Sequence, residues 1–282
     1  MGLAVVVACG SDDNGSVFDG GGADAGSSDG SGNGPTFGDG VDPGDGGTGE
    51  TFGTDVRAVM TTDNAFSFGY GDVATVSTFF RGEGSGGDAI FNCPVGYGPT
   101  AYVIPAKDAP PSAYLYIIAW ADEKTTQGTL AQFTRLGGGQ TIYSGDVNWQ
   151  VCAVGRAYDF QGAGPTNAEI NVDIANCNNP AAADAGATYS HGWVNKDGAL
   201  PTSPTARGKL AIGEDNTDAG GDFPIVCQLD ATGDAGVDGV AHWMWFDPID
   251  TKDPFVGNTG NRTKTYLLFR LPASALPSTG IK

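Results

Sequence analysis

The sequence predicts an all-β protein, a β-sandwich with a jelly roll as one way of closing it, with one short helix and long loops. Three observations carry that expectation. From about residue 55 to residue 282, short runs rich in Val, Ile, Tyr, Phe, Trp and Thr alternate with clusters of Gly, Pro, Asn and Asp, the pattern of many strands joined by turns. One run, Ala113 to Ala121 (AYLYIIAWA), is apolar on both faces, as a central strand between two covering layers must be. Finally, Cys93, Cys152, Cys177 and Cys227 all fall within this region, an even set suited to two disulfides in an oxidising compartment.

The strand candidates in chain order are Ala65 to Tyr70, Ala74 to Phe80, Ala89 to Cys93, Ala101 to Ile104, Ala113 to Ala121, Thr141 to Tyr143, Val147 to Ala157, Lys209 to Ile212, Pro224 to Leu229, His242 to Phe246 and Thr263 to Leu271. Within Ala113 to Ala121, alternation sets Tyr114, Tyr116, Ile118 and Trp120 opposite Leu115, Ile117 and Ala119. A second layer is therefore expected over what would otherwise be a wet face. Two segments break the pattern. Thr166 and Glu169 have capping-box spacing and are followed by Ile170, Ile174 and Cys177 at i, i+4 and i+7, which predicts a helix over 167–178 with Cys177 in its last turn. Asp122 to Arg135 (DEKTTQGTLAQFTR) reads as a short helix weakened by Gly128 and its threonines.

Charge is distributed unevenly. The 282 residues carry 33 acidic and 14 basic side chains, a net charge of −19. Ten of the acidic residues and none of the basic ones precede residue 56, and the first cation is Arg57. Residues 10–54, dominated by Gly, Asp and Ser, have too little apolar surface to offset their ordering entropy. They read as a disordered tether before a disulfide-stapled domain spanning 55–282. No run approaches the roughly 20 apolar residues of a membrane span, and the acidity repels nucleic acid phosphates.

Residues 1–9 account for the tether. Gly2 to Ala8 is a short apolar run, and Val6-Val7-Ala8-Cys9 resembles a bacterial lipobox. The resemblance covers only this leader; it implies cleavage before Cys9 and lipidation of Cys9, with the membrane reached through that anchor alone. A secretory leader normally has a charged start and an apolar core of about 7–15 residues, whereas this chain starts inside the apolar part, so residues 1–9 read as a truncated signal remnant. Gly10 is not the Asp that retains enterobacterial lipoproteins at the inner membrane, which implies an exported protein at the outer membrane or cell surface. With Cys9 assigned to lipid, the other four cysteines allow three pairings. The short Cys152 to Cys177 connection favours that pair, with Cys93 joined to Cys227. The absence of a C-x-x-C spacing and the presence of two histidines speak against zinc.

Catalytic patterns are sparse. The G-x-S-x-G elbow is absent, and neither His191, in a Ser-His-Gly-Trp run, nor His242 brings a triad with it. Asp122 and Glu123 follow the central strand, and Asp247 and Asp250 follow another, but nothing selects a carboxylate pair. A calcium site has more behind it: Glu214, Asp215, Asp218 and Asp222, with Asn216, concentrate hard oxygen ligands among glycines, without the EF-hand spacing. Asp230, Asp234 and Asp238 form a second acidic loop. In His242 to Asp247, Trp243 and Trp245 share one strand face; facing outward they would make a sugar-stacking platform, facing inward they are core. Trp193, in a polar loop, is the tryptophan expected to be exposed, and Trp120 and Trp149 are expected in the core. The functional expectation is non-catalytic ligand binding, with glycan as the ligand class, at the cell surface. The alternatives are a structural or adhesive protein acting through protein contacts and a secreted carboxylate-based hydrolase.

Overall fold

The computed structural model describes residues 54–82, 90–91, 99–121, 125–156, 164–217, 221–228, 236–248, 253–256 and 265–276. The chain divides into two units, Met1–Gly49 and Glu50–Lys282, and every described residue belongs to the second. The leader, Cys9, and the tether up to residue 53 lie outside the described residues.

The described residues form an all-β sandwich with one α-helix. The strands are β1 (Val56–Asp63), β2 (Ala65–Gly71), β3 (Val76–Phe80), β4 (Thr100–Ile104), β5 (Tyr114–Trp120), β6 (Gly128–Arg135) and β7 (Thr141–Tyr143), followed by β8 (Gln150–Ala153), β9 (Val194–Asn195), β10 (Gly198–Ala199), β11 (Lys209–Asp215), β12 (His242–Asp247) and β13 (Leu267–Pro272). The helix α1 spans Asn167–Asn178. The first sheet has the order β11, β12, β6, β1, β4, with β7 also on β6; the second runs β10, β9, β8, β13, β5, β2, β3. Neighbouring strands are antiparallel, as in β1 against β6 and β5 against β13.

Two departures from the sequence reading share one cause. Residues 128–135 are strand β6, not part of a helix, and β1, which the sequence did not reveal, pairs with it over eight residues from Val56↔Arg135 to Asp63↔Gly128. Arg57 and Thr61-Thr62-Asp63 obscure the hydrophobic pattern of β1, yet Val56, Ala58, Val59 and Met60 are buried. Long-range pairing overrides weak local preference in both segments. Pro224–Cys227, expected as a strand, is irregular.

Strand β5 is buried on both sides. Leu115, Ile117 and Ala119 enter the core between the sheets, while Tyr116, Ile118 and Trp120 enter a second core on the outer face. Ile170, Ile174 and Cys177 of α1 cover that face together with Trp193. The helix starts as its sequence predicts: Glu169 N–H donates to Thr166 Oγ1, and Thr166 N–H donates to the Glu169 carboxylate. Two further links hold it to the sheet. Cys177 is disulfide-bonded to Cys152 of β8, and Arg156 forms ion pairs with Asp173 at 3.2 Å and Glu169 at 3.3 Å. Burial pushes the Asp173 carboxyl up from its ordinary value, against the opposing pull of Arg156. Cys227 is also disulfide-bonded; Cys93 lies outside the described residues.

Two arginines are buried against neutral partners. Arg135, 3 % exposed, donates to the carbonyls of Leu276 (2.7 Å), Thr54 (2.8 Å) and Ala109 (3.0 Å), clamping both ends of the described domain and an inter-strand loop to β6. Arg270 of β13 donates to Gln150 Oε1 at 2.8 Å and Asn178 Oδ1 at 3.1 Å. Its guanidinium lies 3.7 Å from the centroid of Trp193 and 4.9 Å from that of Tyr114, where the ring faces offset part of the cost of burying the charge.

Replacing both Cys152 and Cys177 with Ala is expected to lower unfolding stability by about 3 kcal/mol, read as a reduced denaturant midpoint; an unchanged midpoint would contradict the helix-anchoring role. Arg135→Met strands three carbonyls and is expected to cost about 2–4 kcal/mol in the same measurement.

Candidate functional site

The three tryptophans considered for a sugar platform are all interior. Trp193 is 1 % exposed, which overturns the expectation that it projects from a polar loop: its indole N–H donates to Asn178 Oδ1 at 2.8 Å, and its ring meets Arg270. Trp243 is 1 % and Trp245 4 % exposed. Trp243 stacks on Phe223 with centroids 4.0 Å apart, and Trp245 contacts Phe269 of the opposite sheet, so this strand face is core. Trp120 and Trp149 are also core.

Glu214 and Asp215, at the end of β11, turn their carboxylates to the backbone of the loop that follows. Glu214 accepts from the N–H groups of Asp222 (3.0 Å) and Phe223 (2.6 Å), and Asp215 accepts from Thr217 N–H at 2.9 Å. The Asn216 amide donates to the carbonyls of Val226 and Val237 and accepts from Val226 N–H. Asp218 lies outside the described residues. Among the described residues no group of three or more His, Cys, Asp or Glu side chains is placed to hold a metal ion. Of the carboxylates considered for hydrolysis, Asp247 lies 3.6 Å from Lys209 Nζ, and Asp122, Glu123 and Asp250 lie outside the described residues. His242 Nδ1 is 2.9 Å from the Gly213 carbonyl.

What the fold does build is a cleft beside His191. After α1 the chain returns along the end of β8, where Val154 bridges Thr188 and Gly155 N–H donates to Ala187 O at 2.9 Å. The N–H groups of Tyr189 and Ser190 both reach Ala153 O, at 2.8 and 3.2 Å. Ser190 is fully buried; its hydroxyl accepts from Ala153 N–H at 3.0 Å and donates to Gly192 O at 2.7 Å. With Ser190 held inside, its neighbours Tyr189 and His191 lie at the surface.

The turn that follows is strained. His191 has φ 53°, the one non-glycine residue in the left-handed region among those described, and Gly192 follows at φ 120°. Such a conformation costs on the order of 1–3 kcal/mol and persists only where its surroundings fix it. Here the Ser190 bonds and the donation from Arg207 N–H to Ser190 O at 2.7 Å fix it. That last bond also sets Arg207 beside the turn.

The cleft has a volume of about 410 Å³ and is lined by Thr188, Tyr189, His191, Arg207, Phe246 and Pro248, with Gly155 and Gly186. Tyr189 is 53 % exposed and meets the buried Phe246 edge to face, centroids 6.3 Å apart. The lining therefore brings an exposed aromatic ring together with an arginine, a histidine and a threonine. None of the described lining residues is acidic. A second cleft of about 440 Å³ contains Lys209, Asp247, Lys196 and Asp253, with the Lys209 charge balanced by Asp247.

Of the residues singled out in the sequence, His191 belongs to the cleft, and Trp193, two positions on, does not. Tyr189, Arg207 and Phe246 carried no sequence signal, because three separate segments bring them together. Comparison of the chain with protein-family models, with curated proteins and with solved structures gives no match in any of the three.

Because Trp243 is core, Trp243→Ala is expected to destabilise the domain by about 3–5 kcal/mol, measured by denaturation. A stable Trp243→Ala protein would contradict its assignment to the interior.

Proposed function

We propose that this chain is an exported, lipid-anchored protein of the cell surface whose sandwich binds a glycan without catalysis, in the cleft between Tyr189 and Arg207. The observation that carries the reading is the half-exposed Tyr189 ring, held against Phe246 and bordered by polar groups. An aromatic face fixed in this way stacks on the apolar face of a pyranose ring, and neighbouring donors orient the sugar hydroxyls. The lipobox-like Val6-Val7-Ala8-Cys9, the acidic Gly-rich stretch after it and a disulfide-bearing domain support export.

The test is a glycan-binding screen on the full chain, run with Ca²⁺ and with EDTA so that a calcium requirement is read directly. Tyr189→Ala is expected to weaken retention on the recognised glycan by about tenfold or more, with an unchanged melting temperature because the ring is half exposed. Retention that survives Tyr189→Ala would contradict this site, and no retention on any glycan would favour the structural or adhesive alternative.

A further inference from the structure

We propose that the sugar taken by this cleft carries a carboxylate, which the Arg207 guanidinium receives while Tyr189 stacks on the ring; the inference rests on the glycan reading above. The first ground is composition against place. In a chain with 33 acidic and 14 basic residues, this cleft brings together an arginine and a histidine with no acidic residue among the described residues of its lining.

The second ground is the state of those two side chains. Arg156 is paired with Asp173 and Glu169, Lys196 with Asp197 and Lys209 with Asp247. Among the described residues the Arg207 guanidinium and the His191 imidazole have no such partner, although the Arg207 backbone is pinned to Ser190 O. A planar guanidinium on an anchored backbone fits a carboxylate bidentately. Of the other described lining residues, Phe246 and Pro248 add apolar surface and none is acidic.

Residues 56–282, which hold the cleft, carry 23 acidic and 14 basic side chains, a net charge of −9. A long polyanion is repelled over the whole surface, whereas one acidic sugar or a short acidic oligosaccharide meets only the local field of Arg207 and His191. The ligand class is therefore a single carboxylate-bearing sugar or a short oligosaccharide containing one, and a short oligogalacturonate is the probe.

Calorimetric titration of the full chain with trigalacturonate, galactotriose and sulfated galactotriose tests this. Trigalacturonate is expected to bind about tenfold or more tighter than galactotriose. In Arg207→Gln that preference is expected to shrink to within about threefold, with an unaltered melting temperature. Equal binding of trigalacturonate and galactotriose would overturn the carboxylate assignment and leave the glycan reading standing. A preference for the sulfated sugar, or a uronate preference that survives Arg207→Gln, would also overturn it. Binding of none of the three would overturn the inference, and with the screen above also blank, the glycan reading would fall as well.

Discussion

Burial of both faces of β5 is the constraint on which the rest of this structure depends. A strand reading Tyr-Leu-Tyr-Ile-Ile-Ala-Trp cannot leave either side in water without exposing several large apolar side chains, and a two-sheet sandwich covers only one of them. The outer face needs a further layer, and α1 with Trp193 supplies it. The capping box fixes the start of that helix, and the Cys152–Cys177 disulfide and the Arg156–Asp173 pair hold it down. Having covered the sheet, the chain must come back to pair Val194 with Val151. The return path along β8 produces the Ser190-His191-Gly192 turn, so the cleft is a consequence of how the second core is closed.

The same economy shows in the arginines. Arg135 and Arg270 are buried in neutral surroundings, one among carbonyl oxygens and the other between aromatic faces and amide oxygens. Each replaces water with several oriented dipoles or ring faces, which is what a buried guanidinium needs when no carboxylate is present. Arg207 has its backbone fixed and its side chain at the surface of the cleft. Among the described residues, the interior cations are satisfied and Arg207 at the cleft has no ion-pair partner, which is the contrast the proposed site rests on.

Much of the fold was legible in the sequence because its signals are local. The two-sided apolar run gave β5 and its covering layer, and Thr166 with Glu169 gave the start of α1; the spacing of Cys152 and Cys177 favoured their pairing, which the structure contains. What escaped was decided at long range. Strand β1 hides its buried positions behind Arg57 and a run of threonines, and β6 is a strand because β1 lies beside it. The site was less legible still. Tryptophan in a polar loop suggested exposure, but Trp193 is drawn inward by Arg270 and Asn178, and in the same loop Tyr189 stays outside. Whether a residue stacks on a ligand or on its own protein depends on partners 15 or more positions away, as Trp193 with Asn178 shows, and alternation alone does not encode them.

The most direct measurement is a two-dimensional NMR titration of the isotopically labelled full chain with trigalacturonate, following backbone amide positions residue by residue. The perturbed amides are expected to cluster at 186–192, Arg207 and Phe246, with the tryptophan indole signals of Trp193, Trp243 and Trp245 unmoved. Perturbations centred on any other face, or none at saturating ligand, would contradict the proposed site.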